Sequence, residues 1–443
     1  MKHVIIIGGG FAGLSCAREL ASSGELRVTL LDKNNYQQFQ PLLYQVATAS
    51  LAPSNVAFNL RNTLRRCVNV DVKMAEVVSV DLTTRTVVTR EGQKYQGDFL
   101  VLAAGSQANF FGTPGADRNS YPLYSLRDAE TLRSRIIAVL EAADRDPSLI
   151  EKGALNFVIV GGGPTGAEMA GAFGDAARVL QKDRRFKNLR AGQAQIILVD
   201  HSHSVLSAFS EQSRAYASAA LAERGVQLRL GTSVRQVNPG HVLLSDGSKI
   251  ITRTVIWAGG LKAAPLSDNL GVRSGRGGRI DVEPDLTVKG FEGVYALGDF
   301  ANIAGGNGKP LAQLASVAEQ SGKWCAQNIA LDAAGKPRKH FRYRDKGIMA
   351  MIGRNSAVVE VGVRRRHLGG LIAFVIWLGV HVALLTNVRA KVEAVIEWAW
   401  DYFLRVRSNP ILDRVEQAEI DWNDDENPLA MQANLECSTQ KAS

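Results

Sequence analysis

The chain has 443 residues, of which 46% are hydrophobic, so it is long enough for two or three folded domains and is not intrinsically disordered. Its 52 Lys and Arg outnumber 43 Asp and Glu, giving a formal net charge of +9, but no nucleic-acid reader motif accompanies this charge. The four cysteines form no Cys-x-x-Cys pair and no metal-ligand spacing, which excludes a redox dithiol of that type and indicates a reducing compartment. Neither nucleic acid nor a metal is therefore an expected ligand.

The first predicted elements are a strand, a glycine-rich turn, a helix and a second strand. Residues 4–7 are an unbroken run of β-branched side chains, which is typical of a parallel strand covered on both faces. This run is too short for a secretory signal, so no export is expected. A helical pattern over residues 14–20 and a strand over residues 27–31, ending at Asp32, complete the arrangement of a dinucleotide-binding βαβ unit. The glycines of the turn are Gly8, Gly10 and Gly13.

The same plan recurs further along the chain. A strand over residues 157–160 leads through a second glycine-rich turn into a helix that ends near residue 177, and a strand over residues 196–199 ends at Asp200. The glycines of this second turn are Gly161, Gly163 and Gly166. One Gly-x-Gly-x-x-Gly is weak evidence, whereas two copies in matching contexts are far stronger. We therefore predict an α/β fold with two Rossmann-like dinucleotide-binding domains.

Three further predicted strands end in small or acidic residues. The segments "DFLVLAAG" and "TVIWAGG" end in residues without bulky side chains, which lets the backbone approach a ligand closely. The later segment "GVYALGDFA" ends in a Gly-Asp pair and precedes a helical stretch over residues 311–331. The candidates at these strand ends are Ala104, Gly105, Ala258, Gly259, Gly298 and Asp299.

From residue 341 the sequence changes character. Strands are predicted first, followed by two helices rich in Trp and aliphatic residues, and residues 369–386 are apolar except for His381. Arginines precede this run, Arg389 and Lys391 follow it, and the second helix is amphipathic, so we expect these helices to lie on an anionic lipid bilayer surface. One transmembrane helix over residues 369–388 and a buried interface between two subunits of a homodimer remain alternatives.

These ordered motifs carry a family resemblance from residue 1 to about residue 410. The two glycine loops, "FQPLLYQVAT", "TVIWAGGLKAAPL", "GRIDVEPDLTVKGFEGVYALGDFA", "FRYRDKGIMAMIGR" and the Trp-rich end make the chain similar to the type II NADH:quinone oxidoreductases. These are single-subunit, FAD-containing NADH dehydrogenases of respiratory membranes that do not pump protons. The resemblance implies hydride transfer from NADH to FAD, then transfer of two electrons to a membrane quinone, at the cytoplasmic face of the inner membrane.

The same resemblance implies a domain order. An FAD-binding domain is expected over residues 1–120 and 280–340, with an NADH-binding domain inserted over residues 121–279. Residues 341–410 are expected to form strands and membrane-anchoring helices, and the acidic residues 411–443 a flexible tail.

By resemblance, the first loop holds the FAD pyrophosphate at a helix N-terminus, Asp32 binds the adenosine ribose and Asp299 the ribityl chain. The second loop holds NADH. The carboxylate of Asp200 favours NADH over NADPH, because it repels a 2′-phosphate and accepts from a free 2′-hydroxyl. The predicted cofactor-binding residues are Gly8, Gly10, Phe11, Ala12, Gly13, Asp32, Lys33, Ala104, Gly105, Gly161, Gly163, Thr165, Gly166, Asp200, Ala258, Gly259, Gly298 and Asp299.

Five residues are predicted to act in catalysis. Glu168 matches the family's Glu near the nicotinamide and the flavin, and Lys346 matches a Lys that pairs with it, so that the two supply protons to the quinone. The family's Ala-Gln-x-Ala-x-Gln segment aligns with "ASVAEQ", in which Gln320 is retained and Ser316 replaces the first Gln. Gln313, one helical turn earlier, is expected to compensate. The resemblance also places Pro41, Leu42 and Tyr44 in the wall of the quinone tunnel.

Two other functions fit the same fold. One is a flavoprotein reductase of a soluble acceptor, such as a ferredoxin or rubredoxin reductase, although the basic, Trp-rich C-terminal end disfavours it. The other is a redox-sensing protein that binds FAD and NADH and turns over slowly.

Overall fold

A computed structural model describes residues 1–180, 186–190, 192–306, 308–362, 365–385, 387–404 and 420–422. Within them, two five-stranded parallel sheets carry most of the core, and an antiparallel sheet followed by two helices lies near the C-terminus.

The first sheet is built around the strand that opens the chain. Its five strands are all parallel, and the run Val4 to Ile7 at its centre is at most 5% exposed, because strands pair with both of its edges and its side chains lie in a hydrophobic core. Residues of two helices and of strand Thr86–Thr89 belong to the same core. Helix Phe11–Leu20 follows the central strand and packs against helix Ala315–Ala333. The strand order is Val294–Ala296, Phe99–Leu102, Lys2–Ile7, Leu26–Asp32 and Val70–Met74.

The second sheet repeats the order of four strands of the first, and in the chain its residues lie between two neighbouring strands of the first. Its strands, all parallel, are in the order Tyr121–Pro122, Thr254–Trp257, Asn156–Val160, Gln195–Asp200 and Val226–Leu230. Its helices are Leu126–Arg145, Pro164–Leu180 and Glu211–Glu223. The second unit is therefore an insertion into the first.

The chain returns from the second unit to the first soon after strand Thr254–Trp257. Strand Leu261–Ala263 pairs antiparallel with Ser106–Ala108, which directly follows the first sheet. The side chains of Ala263 and Leu270 lie in the hydrophobic core of the first sheet. The chain thus contacts the first unit again just after Gly260, and the bounds 121–279 for the inserted NADH-binding domain stay a prediction.

The C-terminal region packs on the second unit. Strands Ile348–Gly353, Ser356–Val361 and Arg366–Gly369 form an antiparallel sheet, followed by helices Gly370–Leu384 and Val388–Leu404, here called the C-terminal helices. A side chain at Gly171 would overlap the Ile352 carbonyl oxygen, so only glycine lets helix Pro164–Leu180 and the first of these strands touch. The buried side chains of the C-terminal helices join the core of the second sheet.

Shorter elements complete the description. The antiparallel strands are Tyr36–Gln38 with Ala57–Asn59, Val77–Asp81 with Thr86–Thr89 and Lys94–Gln96, and Val234–Val237 with His241–Leu244 and Lys249–Ile251. Ile280–Asp281 pairs in parallel with Ala301–Asn302. The short helices are Gln40–Leu42, Leu43–Ala47, Pro53–Val56, Leu60–Thr63, Ala116–Asn119, Pro147–Ile150, Pro265–Asn269, Arg276–Gly278 and Gly298–Phe300.

The structure describes three residues of the acidic segment 411–443, namely residues 420–422, and they contact the rest of the protein. Arg253 donates from its guanidinium to the carbonyl oxygens of Asp421 and Trp422, at 3.3 and 3.2 Å, and lies over the Trp422 ring at 5.7 Å from its centroid. These three tail residues, 420–422, contact the second unit. The rest of residues 411–443, for which flexibility was predicted, lies outside the described residues.

The contact between helices Phe11–Leu20 and Ala315–Ala333 depends on Gly322, where a Cβ would overlap the Ala12 carbonyl oxygen. We expect Gly322→Ala to push the two helices apart and to lower the free energy of unfolding by about 1–3 kcal/mol. Thermal unfolding followed by circular dichroism measures the change. Gly24→Ala is the matched control, because nothing lies within 4 Å of a Cβ there. Equal unfolding temperatures for the two variants would contradict the close packing of these helices.

Candidate functional site

The two glycine loops have the same backbone geometry. Gly8 has φ +99° and Gly161 has φ +108°, values that L side chains rarely adopt. A Cβ at Gly8 would overlap the carbonyl oxygen of Ala103, and a Cβ at Gly161 that of Ala258. The first glycine of each loop is therefore required for two reasons: its backbone has a positive φ, and the end of a neighbouring strand leaves no room for a Cβ. Ala103 and the predicted Ala104 both meet the first loop, since the Ala104 Cα lies 3.2 Å from the position of a Cβ at Gly8.

The remaining glycines of each loop have separate roles. A Cβ at Gly13 would overlap the Gly8 carbonyl oxygen, and a Cβ at Gly166 that of Gly161, so each third glycine lets its helix start against the loop. A Cβ at Gly10 or at Gly163 would meet nothing within 4 Å. In the described residues, helix Phe11–Leu20 has no side-chain N-cap. Open space therefore lies before uncapped N–H groups, and this fits the pyrophosphate of the expected FAD.

An aspartate at the end of the following strand accepts a hydrogen bond from each glycine loop. Asp32 accepts hydrogen bonds from the Gly9 N–H at 2.6 Å and from the Asn34 N–H at 2.7 Å. Burial raises the pKa of Asp32, and these two N–H groups partly offset the effect. Each carboxylate oxygen keeps a further lone pair, so Asp32 is able to accept from the hydroxyls of a ribose.

Asp200 is held in the same way. It accepts from the Gly162 N–H at 2.5 Å and from the Ser202 N–H at 2.6 Å. His201 Nδ1 lies 3.5 Å from Asp200 Oδ1, but the His201 side chain is 80% exposed. The carboxylate therefore faces the second loop as its counterpart faces the first, and a solvated imidazole stands beside it.

Asp299 lies in a buried polar cluster. Ser106 Oγ is 2.7 Å from Tyr124 Oη and 3.1 Å from Asp299 Oδ2. Ser106 is the donor towards both oxygens, and because it has one hydroxyl proton it donates to Tyr124 or to Asp299 at any one time. Burial raises the pKa of Tyr124 to about 12, and burial also raises the pKa of Asp299, with Ser106 and the Arg279 charge acting in the opposite direction. The sequence analysis predicted Asp299 but missed Ser106, Tyr124 and Arg279.

The other predicted cofactor residues differ in exposure. Phe11 is half-buried and packs edge-on against Phe39, with ring centroids 5.6 Å apart. Lys33 and Thr165 are exposed. Four residues at strand ends are half-buried: Ala104, Gly105, Ala258 and Gly259. Ala12 in helix Phe11–Leu20 and Gly298 after strand Val294–Ala296 are buried.

Glu168 is buried between helix Pro164–Leu180 and strand Ile348–Gly353. Its Oε1 accepts from the Met351 N–H at 3.1 Å. The Trp377 indole N–H interacts with the same carboxyl at a geometry looser than a full hydrogen bond. Burial raises the pKa of Glu168 to about 8, so the carboxyl is mainly protonated at neutral pH.

The expected ion pair between Glu168 and Lys346 is not formed in the described residues. Lys346 is exposed and precedes strand Ile348–Gly353, whereas Glu168 meets that strand further along, at Met351. The carboxyl is thus stabilised as a neutral group by burial and is not ionised by a lysine beside it.

The predicted quinone-binding residues are engaged elsewhere. The Gln320 amide donates to the Arg344 carbonyl oxygen and accepts from the Arg344 N–H, both at 3.0 Å. Ser316 Oγ lies 2.9 Å from Tyr343 Oη. Both side chains therefore hold the segment that follows Phe341 against helix Ala315–Ala333. One N–H of the Gln320 amide is not used by these two bonds, so the predicted contact of Gln320 with a quinone stays a prediction.

Gln313 does not lie one turn earlier in this helix, as the sequence analysis expected. The helix begins at Ala315, and Gln313 is in the extended segment before it. Its Nε2 donates to the backbone carbonyl oxygen of Asp299 at 3.2 Å. Gln313 therefore supports the turn that carries Asp299.

A cavity of about 690 Å³ lies beside Glu168, which forms part of its lining. Its walls come from helix Leu43–Ala47, helix Pro164–Leu180, strand Ile348–Gly353 and the C-terminal helices, and most of the lining is aliphatic or aromatic. Polar groups in the lining include Tyr44, Gln45, Glu168 and Trp398. This combination suits a largely apolar ligand with a few polar atoms. Neither Gln320, Ser316 nor Gln313 belongs to the lining.

The cavity opens on an apolar surface. Leu371, Val375, Val395 and Phe403 line it, and they are also 47% to 77% exposed. His381 is not part of this surface, since it is buried and stacks on Trp377 at 3.7 Å. Burial lowers the pKa of His381 to about 4, so it is neutral under ordinary conditions.

The described residues contain no group of His, Cys, Asp and Glu that is able to hold a metal ion. Within the same ranges Cys16, Cys67 and Cys325 are free thiols. The site therefore consists of two nucleotide loops and an apolar cavity with a neutral carboxyl.

Comparison with known proteins gives a family. Residues 2–322 match the pyridine nucleotide-disulphide oxidoreductase family. The chain is 34% identical over 412 residues to the type II NADH:quinone oxidoreductase Ndh of Mycobacterium tuberculosis, covering 89% of this chain and 87% of the relative. It is 28% identical over 373 residues to the type II NADH:quinone oxidoreductase of Staphylococcus aureus, covering 81% and 89%.

Solved structures agree in fold. NDH2 from Plasmodium falciparum in complex with NADH superimposes with a TM-score of 0.83 at 19% identity, over 92% of this chain and all of that one. The sulfide:quinone oxidoreductase of Aquifex aeolicus gives a TM-score of 0.71 at 18% identity, over 92% and 96%. The predicted α/β fold with two Rossmann-like domains is thereby confirmed. With its two nucleotide loops and this degree of identity, the chain belongs to the type II NADH:quinone oxidoreductase family.

Proposed function

We propose that this chain oxidises NADH through a bound FAD and reduces a quinone held in the cavity beside Glu168. The observation that carries the proposal is the cavity itself, which joins an apolar surface to a buried, protonated carboxyl. The relatives are named as NADH:quinone oxidoreductases, which supports the same donor and acceptor. FAD, when bound, accepts hydride from NADH and passes on two electrons. A soluble protein acceptor would have no need of such a cavity.

The nucleotide sites follow from the loops. We assign FAD to the loop closed by Asp32 and to the cluster around Asp299, and NADH to the loop closed by Asp200. In both loops the open space at the middle glycine and the oriented acid fit a pyrophosphate and a ribose. Within the described ranges the ion-pair partner of Asp200 is the exposed His201, which offsets the negative charge of the carboxylate only weakly. This charge repels the 2′-phosphate of NADPH and therefore favours NADH.

Glu168 has the protonation state that quinone reduction needs. Conversion of a quinone to a quinol consumes two electrons and two protons, of which a neutral carboxyl in the cavity wall is able to donate one proton, while solvent supplies the other. Because Oε1 accepts the Met351 N–H, the proton is held on Oε2. We assign Glu168 Oε2 as the atom that donates this proton, and solvent restores it after each turnover.

The C-terminal helices are proposed to attach the protein to the surface of a membrane. Arg366 and Arg389 supply positive charge on either side of the first of them. None of the helices in the described ranges is both long and apolar enough to cross a membrane. The large apolar side chains that these helices expose are Leu371, Ile372, Val375, Leu384, Val388, Val392, Val395, Ile396, Trp400 and Phe403.

The proton-donor assignment is tested with Glu168→Gln, which keeps the shape and removes the acid. We expect quinone reduction to fall about a hundredfold, because the general acid is lost. NADH oxidation with ferricyanide, which takes electrons without protons, should be unchanged. Wild-type quinone reduction should decline as pH rises through about 8, the pKa of Glu168, and the variant should lack this decline.

The same substitution has a stability signature. The pKa of Glu168 is higher in the folded state than its ordinary value of 4.5, so the folded state loses stability as pH rises from there to about 8. Glu168→Gln should therefore unfold at a higher temperature than the wild type above that pH. Glu76→Gln, at an exposed salt bridge with Arg90, serves as the control. Identical pH profiles for wild type and Glu168→Gln would refute the assignment.

The nucleotide preference is tested with Asp200→Asn. Loss of the charge should weaken NADH binding and relieve repulsion of the 2′-phosphate, raising the ratio of NADPH to NADH kcat/KM by about tenfold. Asp246→Asn, at a fully solvated turn in the same unit, is the matched control. An unchanged ratio in Asp200→Asn would remove this residue from the nucleotide site.

Membrane attachment is tested by changing exposed side chains only, because deleting the C-terminal helices would also open the core of the second sheet. We expect the combined variant I372Q, V375Q, V392Q, I396Q, F403Q to bind vesicles containing anionic lipid at least about tenfold more weakly. Sedimentation with the vesicles measures this. The control V68Q, M74Q removes exposed apolar groups elsewhere. Equal binding by both variants would exclude the helices as the anchor.

A further inference from the structure

Three side chains in the cavity wall form a chain of hydrogen bonds. Trp398 Nε1 donates to Gln45 Oε1 at 2.8 Å, and Gln45 Nε2 donates to Tyr44 Oη at 3.0 Å. All three line the cavity that Glu168 also lines. Trp398 belongs to helix Val388–Leu404, whereas Tyr44 and Gln45 belong to helix Leu43–Ala47, so the chain joins an exposed C-terminal helix to the inner part of the molecule.

The chemistry of the groups fixes the direction of these bonds. An indole N–H is only a donor, so the oxygen of the Gln45 amide must face Trp398. The NH₂ end of the same amide then faces Tyr44 and is again only a donor. Tyr44 Oη must therefore accept this bond, and its own proton is left to be donated in another direction.

No protein acceptor in the described ranges receives that proton. Tyr44 is 5% exposed, and its Oη accepts from Gln45 without donating to any described group. A buried hydroxyl proton without an acceptor is unfavourable by about 1–3 kcal/mol, so the site favours a ligand that supplies one. Burial, with a smaller contribution from Glu168, raises the pKa of Tyr44 well above its ordinary value, so the hydroxyl keeps its proton.

We propose that Tyr44 donates a hydrogen bond to a carbonyl oxygen of the acceptor, and that Gln45 and Trp398 are positioning residues that direct its proton into the cavity. This inference rests on the proposed function, in which the cavity holds a quinone. A quinone carbonyl oxygen is only an acceptor of hydrogen bonds, which matches a site with two donors, the Tyr44 hydroxyl and the protonated Glu168 carboxyl. Glu168 transfers its proton, whereas Tyr44 keeps its own and orients the substrate.

The position of Trp398 gives this arrangement a link to the membrane-facing surface. If helix Val388–Leu404 shifts and Trp398 withdraws, Gln45 Oε1 loses its donor and becomes the nearest acceptor for the Tyr44 proton. The hydroxyl would then turn from the cavity towards Gln45. Recognition of the acceptor therefore depends on a helix that also exposes large apolar side chains, among them Val392, Ile396 and Phe403.

The test uses full-length protein with FAD bound and decylubiquinone as the probe. Tyr44→Phe removes only the hydroxyl, so we expect the KM for decylubiquinone to rise about five- to tenfold, with a smaller change in kcat. Gln45→Glu replaces the amide with a carboxylate that accepts from both neighbours and thus captures the Tyr44 proton. It should raise the same KM to a similar extent, and the double variant should show no further rise.

Controls separate this inference from the function on which it rests. Tyr95→Phe also loses a tyrosine hydroxyl, one that donates to the exposed Gln93, and should keep the wild-type KM. Ferricyanide reduction by NADH should be the same in all variants, which excludes damage to the nucleotide sites. If wild-type protein reduces ferricyanide but not decylubiquinone, the proposed function fails. If it reduces both, and either Tyr44→Phe or Gln45→Glu leaves the KM unchanged, the hydrogen-bond chain is overturned.

Discussion

The burial of the Glu168 carboxyl is the constraint on which the site depends. An acid in this position stays neutral because burial disfavours its charged form. Gly171 allows strand Ile348–Gly353 to reach helix Pro164–Leu180 and thus to bury the carboxyl, whereas the Met351 and Trp377 N–H groups partly offset the effect of burial on its pKa. The family match ends at residue 322, before the strand and the C-terminal helices. In the proposed function, the C-terminal region therefore adds the cavity for an apolar acceptor to a flavoprotein core.

The nucleotide half of the site was predictable because its causes are local. A glycine with positive φ, a neighbouring carbonyl that excludes a Cβ, and an acid at the next strand end all lie within one βαβ unit. Spacing alone therefore pointed to Gly8, Gly161, Asp32 and Asp200. The strand end at Ala104 follows from the same local pattern, and both Ala103 and Ala104 meet Gly8.

The acceptor half could not be predicted in the same way, because its contacts join segments far apart in sequence. Gln320 and Ser316 were expected to face a quinone, but the segment after Phe341 returns across their helix and occupies them. Spacing identifies which residues share a helix face and not what covers that face. Gln45 was missed for the same reason. Its partner Trp398 lies in the Trp-rich C-terminal end, which the sequence pattern assigned to a lipid surface, although an indole N–H that becomes buried needs an acceptor.

The C-terminal helices contribute to the protein core on one face and to the cavity opening on the other. Towards the protein, Ala373 and Trp377 are fully buried and complete the wall around Glu168. Towards the outside, Leu371 and Val375 are more than half exposed and also line the cavity. A ligand that enters between these side chains passes from an apolar surface to a hydrogen-bonding site without crossing water. Exposing such helices is least unfavourable when lipid covers their apolar side chains. In the proposed attachment, contact of these helices with lipid therefore stabilises the protein and also places the cavity opening against the source of a lipid-soluble acceptor.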